Sequence, residues 1–266
     1  MSPEFESIRV ERRGLAAWLF LDRPEAMNSM SPQMVQEIGA ALDAIEQDAD
    51  VRALVLTGTG HAFCAGADLK AVRRMGDDAG RETAVWRFLR DATALLSRIE
   101  RLPLPVIAAV NGLALAGGLE TVLVCDLVVA ADDAKFGDAH ARYGLIPGWG
   151  GSVRLPRKIG ANRAKQLMFT AEHVSAHLMA EWGLVNQVVP AAELHDAAQA
   201  LCERITDKSP LGLRRMKQLV DDGLQQPIDV ALRAERAMVE AHNHSHDRAE
   251  GLAAFADKRA PRFNGR

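Results

Sequence analysis

Hydrophobic residues in the first half of the chain form short unbroken runs and rarely alternate with polar residues. The runs of strand length cover residues 15–21, 53–58, 106–110 and 127–130. Unbroken runs of this length are typical of strands that are buried on both faces, as in largely parallel sheets. The pattern therefore predicts a mixed α/β core, with a short alternating segment at residues 8–11 paired to the first run.

Helical spacing of apolar residues appears between these runs and dominates the end of the chain. One helix is expected after Ser31-Pro32, and a longer one over residues 81–101 that ends before two prolines. From residue 161 onward most of the chain has helical spacing, in the segments 191–206, 211–222 and 228–246. We predict an α/β core over residues 1–200 and a helical region over residues 201–266, with a loop at residues 138–151.

Composition excludes several classes of partner. The chain has 266 residues, 48% of them hydrophobic, with a net charge of -3, so nothing in its overall field favours nucleic acid or an anionic membrane. No apolar run is long enough to span a bilayer. The three cysteines have no paired spacing, which favours reduced thiols. We therefore expect a cytoplasmic protein with no membrane partner and no nucleic-acid partner.

Two glycine-bearing turns, at residues 63–69 and 115–120, follow buried strands and precede predicted helices. Backbone N–H groups are unpaired at such positions and can hold an oxyanion. Glu120 follows Gly117-Gly118 and would lie in the first helical turn, as an acid or base beside that oxygen. Spacing alone favours ordinary roles instead: Glu120 stabilised by the helix dipole, and Asp68 capping the next helix. Spacing also cannot show that the two turns meet.

Other candidate sites have weaker support. The glycine run at residues 144–152 lacks the Gly-Lys-Ser/Thr ending of a phosphate-binding loop, and no Gly-x-Gly-x-x-Gly turn opens the first strand-to-helix crossover. His242, His244 and His246 have no evident carboxylate or cysteine partner, so we interpret them as a solvated helix end and predict no metal site.

Several motifs, taken together, resemble the crotonase family, also called the enoyl-CoA hydratase/isomerase family. They are Phe63-Cys64-Ala65-Gly66-Ala67-Asp68-Leu69, residues 111–120, residues 136–151 and the tail at residues 250–263. The likeness runs from about Ile8 to the C-terminus. It implies an α/β fold, a crotonase-like superhelix of repeated ββα units, with a C-terminal helical region that builds homotrimers or dimers of trimers.

The resemblance also implies an acyl-CoA thioester as the substrate, with no separate cofactor, since coenzyme A is part of the substrate. The thioester oxygen would lie between the N–H groups of Ala65 and Gly117, which would stabilise an enolate. The remaining residues expected to bind the substrate are Ala26, Met27, Gly66, Ala67, Asp68, Leu69, Gly148, Lys258 and Phe263. The pocket for the acyl tail is expected around residues 72–86.

One position departs from the family pattern. Family hydratases use two glutamates around a water; one matches Glu120, but the second position here is His140. A histidine can transfer protons, and Asp138 is an alternative source of the missing carboxylate. We expect an enoyl-CoA hydratase-type lyase of lipid metabolism with Glu120 and His140 as catalytic residues. The alternatives are an isomerase, a decarboxylase or a thioester hydrolase at the same site, or an inactive acyl-CoA-binding protein.

Overall fold

The structure is a computed structural model that describes residues 5–74 and 79–266. It divides into two compact units, one formed by Met1–Leu102 and Val106–Gln199 and the other by Pro103–Pro105 and Ala200–Arg266. No helix among the described residues is both long and apolar enough to cross a lipid bilayer.

Ten strands of the first unit form two sheets. The strands are β1 (Ile8–Arg13), β2 (Ala16–Leu21), β3 (Ala53–Gly58), β4 (Ala62–Cys64), β5 (Val106–Val110), β6 (Leu113–Leu115), β7 (Leu127–Ala131), β8 (Lys135–Gly137), β9 (Val174–Ser175) and β10 (Gln187–Val189). The large sheet has the order β1-β2-β3-β5-β7-β10, and the small sheet has the order β4-β6-β8-β9. Only the β1–β2 and β8–β9 pairs are antiparallel, so the predicted largely parallel core is confirmed.

Successive strand pairs repeat one pattern. β3, β5 and β7 each enter the large sheet, and the strand that follows each of them, β4, β6 and β8, enters the small sheet. All residues of β2, β3 and β5 are buried, which explains why β2, β5 and the first four residues of β3 are unbroken apolar runs. Because β4, β6 and β8 are parallel, they end at the same edge of the small sheet, and the turns that follow β4 and β6 come from neighbouring strands.

Eleven helices are described. They are α1 (Pro32–Gln47), α2 (Leu69–Arg74), α3 (Ala79–Glu100), α4 (Gly117–Leu123), α5 (Gly151–Ile159), α6 (Ala161–Thr170), α7 (Ala176–Glu181), α8 (Leu194–Thr206), α9 (Pro210–Gly223), α10 (Ile228–Asn243) and α11 (His246–Ala256). The helix expected after Ser31-Pro32 is α1, and Ser31 caps it, since its side chain accepts from the Met34 N–H at 3.1 Å.

One predicted helix boundary is wrong, and one helix is not predicted. The segment 228–246 is not one helix, because α10 ends at Asn243 and Ser245 caps α11 through the Arg248 N–H. The predicted loop at residues 138–151 contains a 3-10 turn at His140–Tyr143, and its last residue, Gly151, begins the helix α5, which is not among the predicted helices. Its many glycines concealed this helix start, which is the one that matters for the site.

Candidate active site

The two glycine turns meet. A Cβ atom added to Gly66 would lie 3.1 Å from the backbone nitrogen of Gly117 and 3.1 Å from the Ala116 Cβ. One added to Gly118 would lie 1.9 Å from the Cys64 carbonyl oxygen. The distance at Gly118 leaves no room for a Cβ atom, and those at Gly66 would require its neighbours to shift, so glycine permits the start of α4 to pack directly against the turn after β4. This contact is the convergence that sequence spacing could not show.

The backbone N–H groups of the first turn differ in whether they are hydrogen-bonded within the protein. Ala65 N–H donates to the Met27 carbonyl at 3.0 Å, so it is engaged within the protein. Neither Ala67 N–H nor Gly117 N–H donates to any residue in the described part of the chain. The hypothesis that Ala65 donates to a ligand oxygen is therefore corrected, because its hydrogen is already used. Ala67, which directly follows Gly66, supplies the unpaired donor beside Gly117.

Glu120 is buried in the first turn of α4 and faces the start of α5. Its Oε1 accepts hydrogen bonds from the N–H groups of Trp149 at 2.8 Å and Gly151 at 2.7 Å. Its side chain is 3% exposed. The N-terminus of α5 thus holds one carboxylate oxygen, and Oε2 is left to face His140.

Trp149 packs against the turn at the start of α4. A Cβ atom on Gly117 would lie 2.1 Å from Cζ3 of the Trp149 indole, so the ring lies directly over the glycine. Phe88 of α3 makes an edge contact with the same ring, with centroids 5.7 Å apart. Arg154 donates to the Trp149 carbonyl at 2.9 Å and forms a two-pronged ion pair with Glu100. These contacts fix the Trp149 backbone, and with it one of the two donors to Glu120.

His140 lies next to Glu120 and is held by Asp138. His140 Nε2 is 3.9 Å from Glu120 Oε2, and Nδ1 is 3.1 Å from Asp138 Oδ1. The side chains of His140 and Asp138 are 12% and 3% exposed. Ala139, between them, has a φ of +59°. This left-handed residue reverses the chain locally and brings the imidazole back to the carboxylate.

Burial and neighbouring charges act on both titratable groups. Burial raises the pKa of Glu120, and the hydrogen bonds from Gly151 and Trp149 and the charge of His140 oppose this only in part. Burial lowers the pKa of His140, but the hydrogen bond and charge of Asp138 and the charge of Glu120 outweigh it, so the pKa is raised above 6.5. Perturbed groups that face each other in this way are characteristic of functional sites.

The other residues of the first turn have structural roles. Asp68 Oδ1 accepts from the Ala71 N–H at 2.9 Å at the start of α2, and its other oxygen pairs with Arg23. Burial opposes the ionised form, yet these hydrogen bonds and Arg23 lower the pKa of Asp68. Burial raises the pKa of the Cys64 thiol to about 11, which keeps it protonated and unsuited to act as a nucleophile.

The remaining residues predicted to bind the substrate lie in several loops. Ala26 and Met27 are in a short 3-10 turn and its left-handed end, and Leu69 begins α2 with half of its surface exposed. The Gly148 carbonyl accepts from the Thr93 hydroxyl at 3.2 Å. Residues 75–78, within the segment expected around the acyl tail, lie outside the described residues.

Two predicted residues belong to the second unit. Lys258 follows α11 with a φ of +54°, and the Phe263 ring lies over Gly251. Asp247 anchors the segment that carries Phe263, since its carboxylate accepts from the N–H groups of Asn264 and Gly265 and from the Ser209 hydroxyl. Within the ranges described, no group of three or more His, Cys, Asp or Glu could hold a metal ion. His242 instead contacts Arg215 at 2.8 Å.

Sequence reasoning missed three contributors to the site: Trp149 and Gly151, which hold Glu120, and Asn28. The Asn28 side chain is fully buried and donates to the carbonyls of Thr59 and Ala62, so it fixes the loop that supplies Met27. The glycine run at residues 144–152 is a visible signal, but sequence spacing gives no reason to connect it with Glu120. A glycine run at a helix start can hold a protein carboxylate as readily as a ligand anion.

The sequence of this chain is similar to known proteins over nearly its whole length. A sequence model described as enoyl-CoA hydratase/isomerase matches residues 13–266. The chain is 35% identical to a short-chain-enoyl-CoA hydratase of Clostridium acetobutylicum, over 96% of this chain and 97% of that protein. It is 37% identical to a crotonyl-CoA hydratase of Syntrophomonas wolfei, over 97% of this chain and 98% of that protein.

The fold of this chain is also similar to those of solved structures. The crystal structure of an enoyl-CoA hydratase from Bacillus anthracis superposes with a TM-score of 0.93 at 37% identity, covering 98% of this chain and all of that one. An enoyl-CoA hydratase subunit from Geobacillus kaustophilus gives a TM-score of 0.90 at 39% identity, over 99% of this chain. The likeness therefore extends over both units of the chain.

Proposed function

We propose, from the premise that the chain belongs to the enoyl-CoA hydratase/isomerase family, that it adds water to the double bond of a 2-enoyl-CoA thioester. The observation that carries the proposal is one arrangement: two unpaired N–H groups, of Ala67 and Gly117, beside a buried Glu120 that faces His140. Such an arrangement can hold a thioester oxygen and move protons next to it.

The proposed reaction proceeds through an enolate. The N–H groups of Ala67 and Gly117 polarise the carbonyl, and Glu120 takes a proton from the water as its oxygen attacks the β-carbon. The electrons of the double bond move onto the carbonyl oxygen. The enolate then collapses, and the α-carbon takes a proton from His140 Nε2. Glu120 has then gained a proton from the water and His140 has lost one to the product, so transfer of a proton from Glu120 to His140, across the 3.9 Å between Oε2 and Nε2, restores the site.

Three segments are proposed to lie along the thioester substrate. They contribute Ala26 and Met27, then Gly66, Ala67, Asp68 and Leu69, and finally Gly148. Lys258 and Phe263 stay predictions from the resemblance, as contacts to the nucleotide end of coenzyme A. Coenzyme A enters as part of the substrate, and no step of the reaction uses another cofactor.

A second candidate function is favoured by His140. A carboxylate and an imidazole differ in charge, and the same oxyanion-binding N–H groups can stabilise the enolate of an isomerisation or a decarboxylation, or the tetrahedral oxyanion of a thioester hydrolysis. This alternative keeps Ala67 and Gly117 as the donors to the thioester oxygen and changes which bond forms or breaks.

Turnover of crotonyl-CoA and longer 2-enoyl-CoAs, followed by loss of the conjugated thioester absorbance, tests the proposal. Replacing Glu120 with Gln should lower kcat by about 10²- to 10⁴-fold, because general base catalysis is lost. No turnover at any chain length would overturn hydration. A panel of 3-enoyl-, malonyl- and β-ketoacyl-CoAs, analysed by mass spectrometry, would then identify another reaction. Tight binding without chemistry, unchanged by Glu120→Gln, would indicate an inactive acyl-CoA-binding protein.

A homotrimer or dimer of trimers is proposed for the assembly. The support comes from the helices of the second unit, which expose large apolar side chains: Val220, Leu224, Ile228, Leu232, Val239 and Phe255. Exposed apolar side chains at this density are typical of surfaces covered by another subunit. Sedimentation velocity measures the assembly directly.

A further inference from the structure

Asp138 is a buried carboxylate for which the proposed reaction has no direct use. Its Oδ1 lies 3.1 Å from Nδ1 of His140, and Nε2 of the same ring lies 3.9 Å from Glu120. The His140 backbone N–H also approaches Asp138 Oδ1, at 3.3 Å. The carboxylate therefore contacts both the backbone and the ring of His140, and the ring alone lies between the two carboxylates.

We propose that Asp138 is a positioning residue that fixes the orientation and the tautomer of His140 and so makes it a proton donor toward the reacting carbon. The inference deepens the proposed function and rests on it. An ionised carboxylate can only accept a hydrogen bond, so Nδ1 carries the hydrogen whether the ring is neutral or charged. The proton that is gained and lost is then the one on Nε2, the nitrogen that faces Glu120.

The position of Asp138 also supports the charged form of His140. The titratable groups that act on the ring are Asp138 from its own loop and Glu120 from α4, and both favour the imidazolium. An isolated imidazole this buried would be disfavoured as a cation. A carboxylate that orients a histidine and stabilises its charged form has the same physical role in Ser-His-Asp triads.

A purely structural role for Asp138 is the competing explanation, because the carboxylate also braces the loop through the His140 backbone. The two roles differ in one respect. A brace matters whatever side chain residue 140 has, whereas a positioning residue matters only while that side chain is histidine.

The test is a double-variant cycle with crotonyl-CoA. Asp138→Asn should lower kcat about 10- to 100-fold while KM changes less than about threefold, since the protein then loses an orienting carboxylate and no substrate contact. In a His140→Gln background the same change should lower kcat by less than about twofold. Equal losses in the two backgrounds would overturn the proposal and leave only the brace. Asp126→Asn is the control for the change from carboxylate to amide, because Asp126 also accepts a backbone N–H, from Val106 at 2.7 Å.

A second measurement does not depend on hydratase activity. In protein with ¹⁵N-labelled histidine, His140 is assigned as the signal missing from His140→Gln. The wild type should show the neutral ring protonated on Nδ1, and Asp138→Asn should lower the pKa of His140 whereas Asp126→Asn should not. An Nε2–H tautomer in the wild type would overturn the proposal even if Asp138→Asn fails to fold. The predicted tautomer in a protein that does not hydrate enoyl-CoA would overturn the proposed reaction alone.

Discussion

The two titratable groups of the site are held in different ways. Glu120 is held by backbone N–H groups at the start of α5, whereas His140 is held by the side chain of Asp138. Backbone donors are present whatever the side chains are, but they reach the carboxylate only where the chain can approach closely. A side-chain acceptor needs no close approach of two backbones, but a single substitution removes it.

Because of this difference, the surroundings of Glu120 and of His140 should respond to different kinds of substitution. Around Glu120 the critical residues are small: a Cβ on Gly151 would lie 3.1 Å from the Glu120 carboxylate, and one on Gly117 would enter the Trp149 ring. Around His140 the critical residue is Asp138, and its charge matters more than its size. We therefore expect added side-chain volume to displace the backbone donors of Glu120. We expect a change of charge at Asp138 to shift the protonation of His140.

Among substitutions of the residues that hold Glu120 and His140, the largest effect is expected from Gly117→Ala. The added methyl would lie 2.1 Å from Trp149 Cζ3, so the indole must move and carry its backbone N–H away from Glu120. We expect kcat/KM for crotonyl-CoA to fall about 10²- to 10³-fold, as for the loss of one oxyanion donor.

Gly39→Ala is the control for the glycine-to-alanine change. Gly39 lies in α1, where a Cβ meets no atom within 4 Å, so activity should stay unchanged and the free energy of unfolding should rise by about 0.5–1 kcal/mol. Wild-type kcat/KM in Gly117→Ala would show that the packing of Trp149 does not support the carboxylate.

The pH profile of kcat tests the protonation states that the reaction requires of Glu120 and His140. Hydration needs Glu120 deprotonated and His140 protonated, so the rate should rise with pH as Glu120 ionises and fall as His140 loses its proton. Both pKa values are raised, from 4.5 and 6.5, so both limbs should lie at higher pH than for the free side chains. The groups are close enough to titrate as a pair, and the limbs report the pair. A profile without an alkaline limb would exclude His140 as the proton donor.

The smallest effect is expected from Ala139→Gly. Ala139 is left-handed, which costs an alanine about 1–2 kcal/mol, and glycine removes that cost but increases the freedom of the unfolded chain. We expect a change in the free energy of unfolding within about 1 kcal/mol, measured by urea denaturation, and activity within about threefold. A larger loss of activity would mean that the stiffness of this link, and not only the Asp138 hydrogen bond, orients His140.

Much of the fold could be predicted from the sequence because burial leaves a direct mark on it. The strands β2 and β5 and the first four residues of β3 are unbroken apolar runs, and α1 is marked by Ser31 and by its apolar stripe. The start of α5 could not be predicted, since Gly150 and Gly151 signal a loop and a helix start equally well. Only packing against Glu120 and α4 decides between the two.

The site was predicted unevenly for a similar reason. Residue types pointed to Glu120, His140 and Gly117, because carboxylate, imidazole and paired glycines have recognisable chemistry. The donor in the first turn was misplaced by two residues, since Ala65 and Ala67 are the same amino acid in one short motif. Only the hydrogen bond from Ala65 to Met27 distinguishes them.

By itself, the sequence determined the α/β class, the family and the two turns with their glutamate. Apolar periodicity and small motifs are local properties that a sequence records. The tertiary structure alone decided which N–H groups stay unpaired, that the turns touch at Gly66 and Gly117, and that Asp138 and Glu120 lie on either side of His140. These are distances between segments far apart in the chain or across a left-handed turn, and packing sets them.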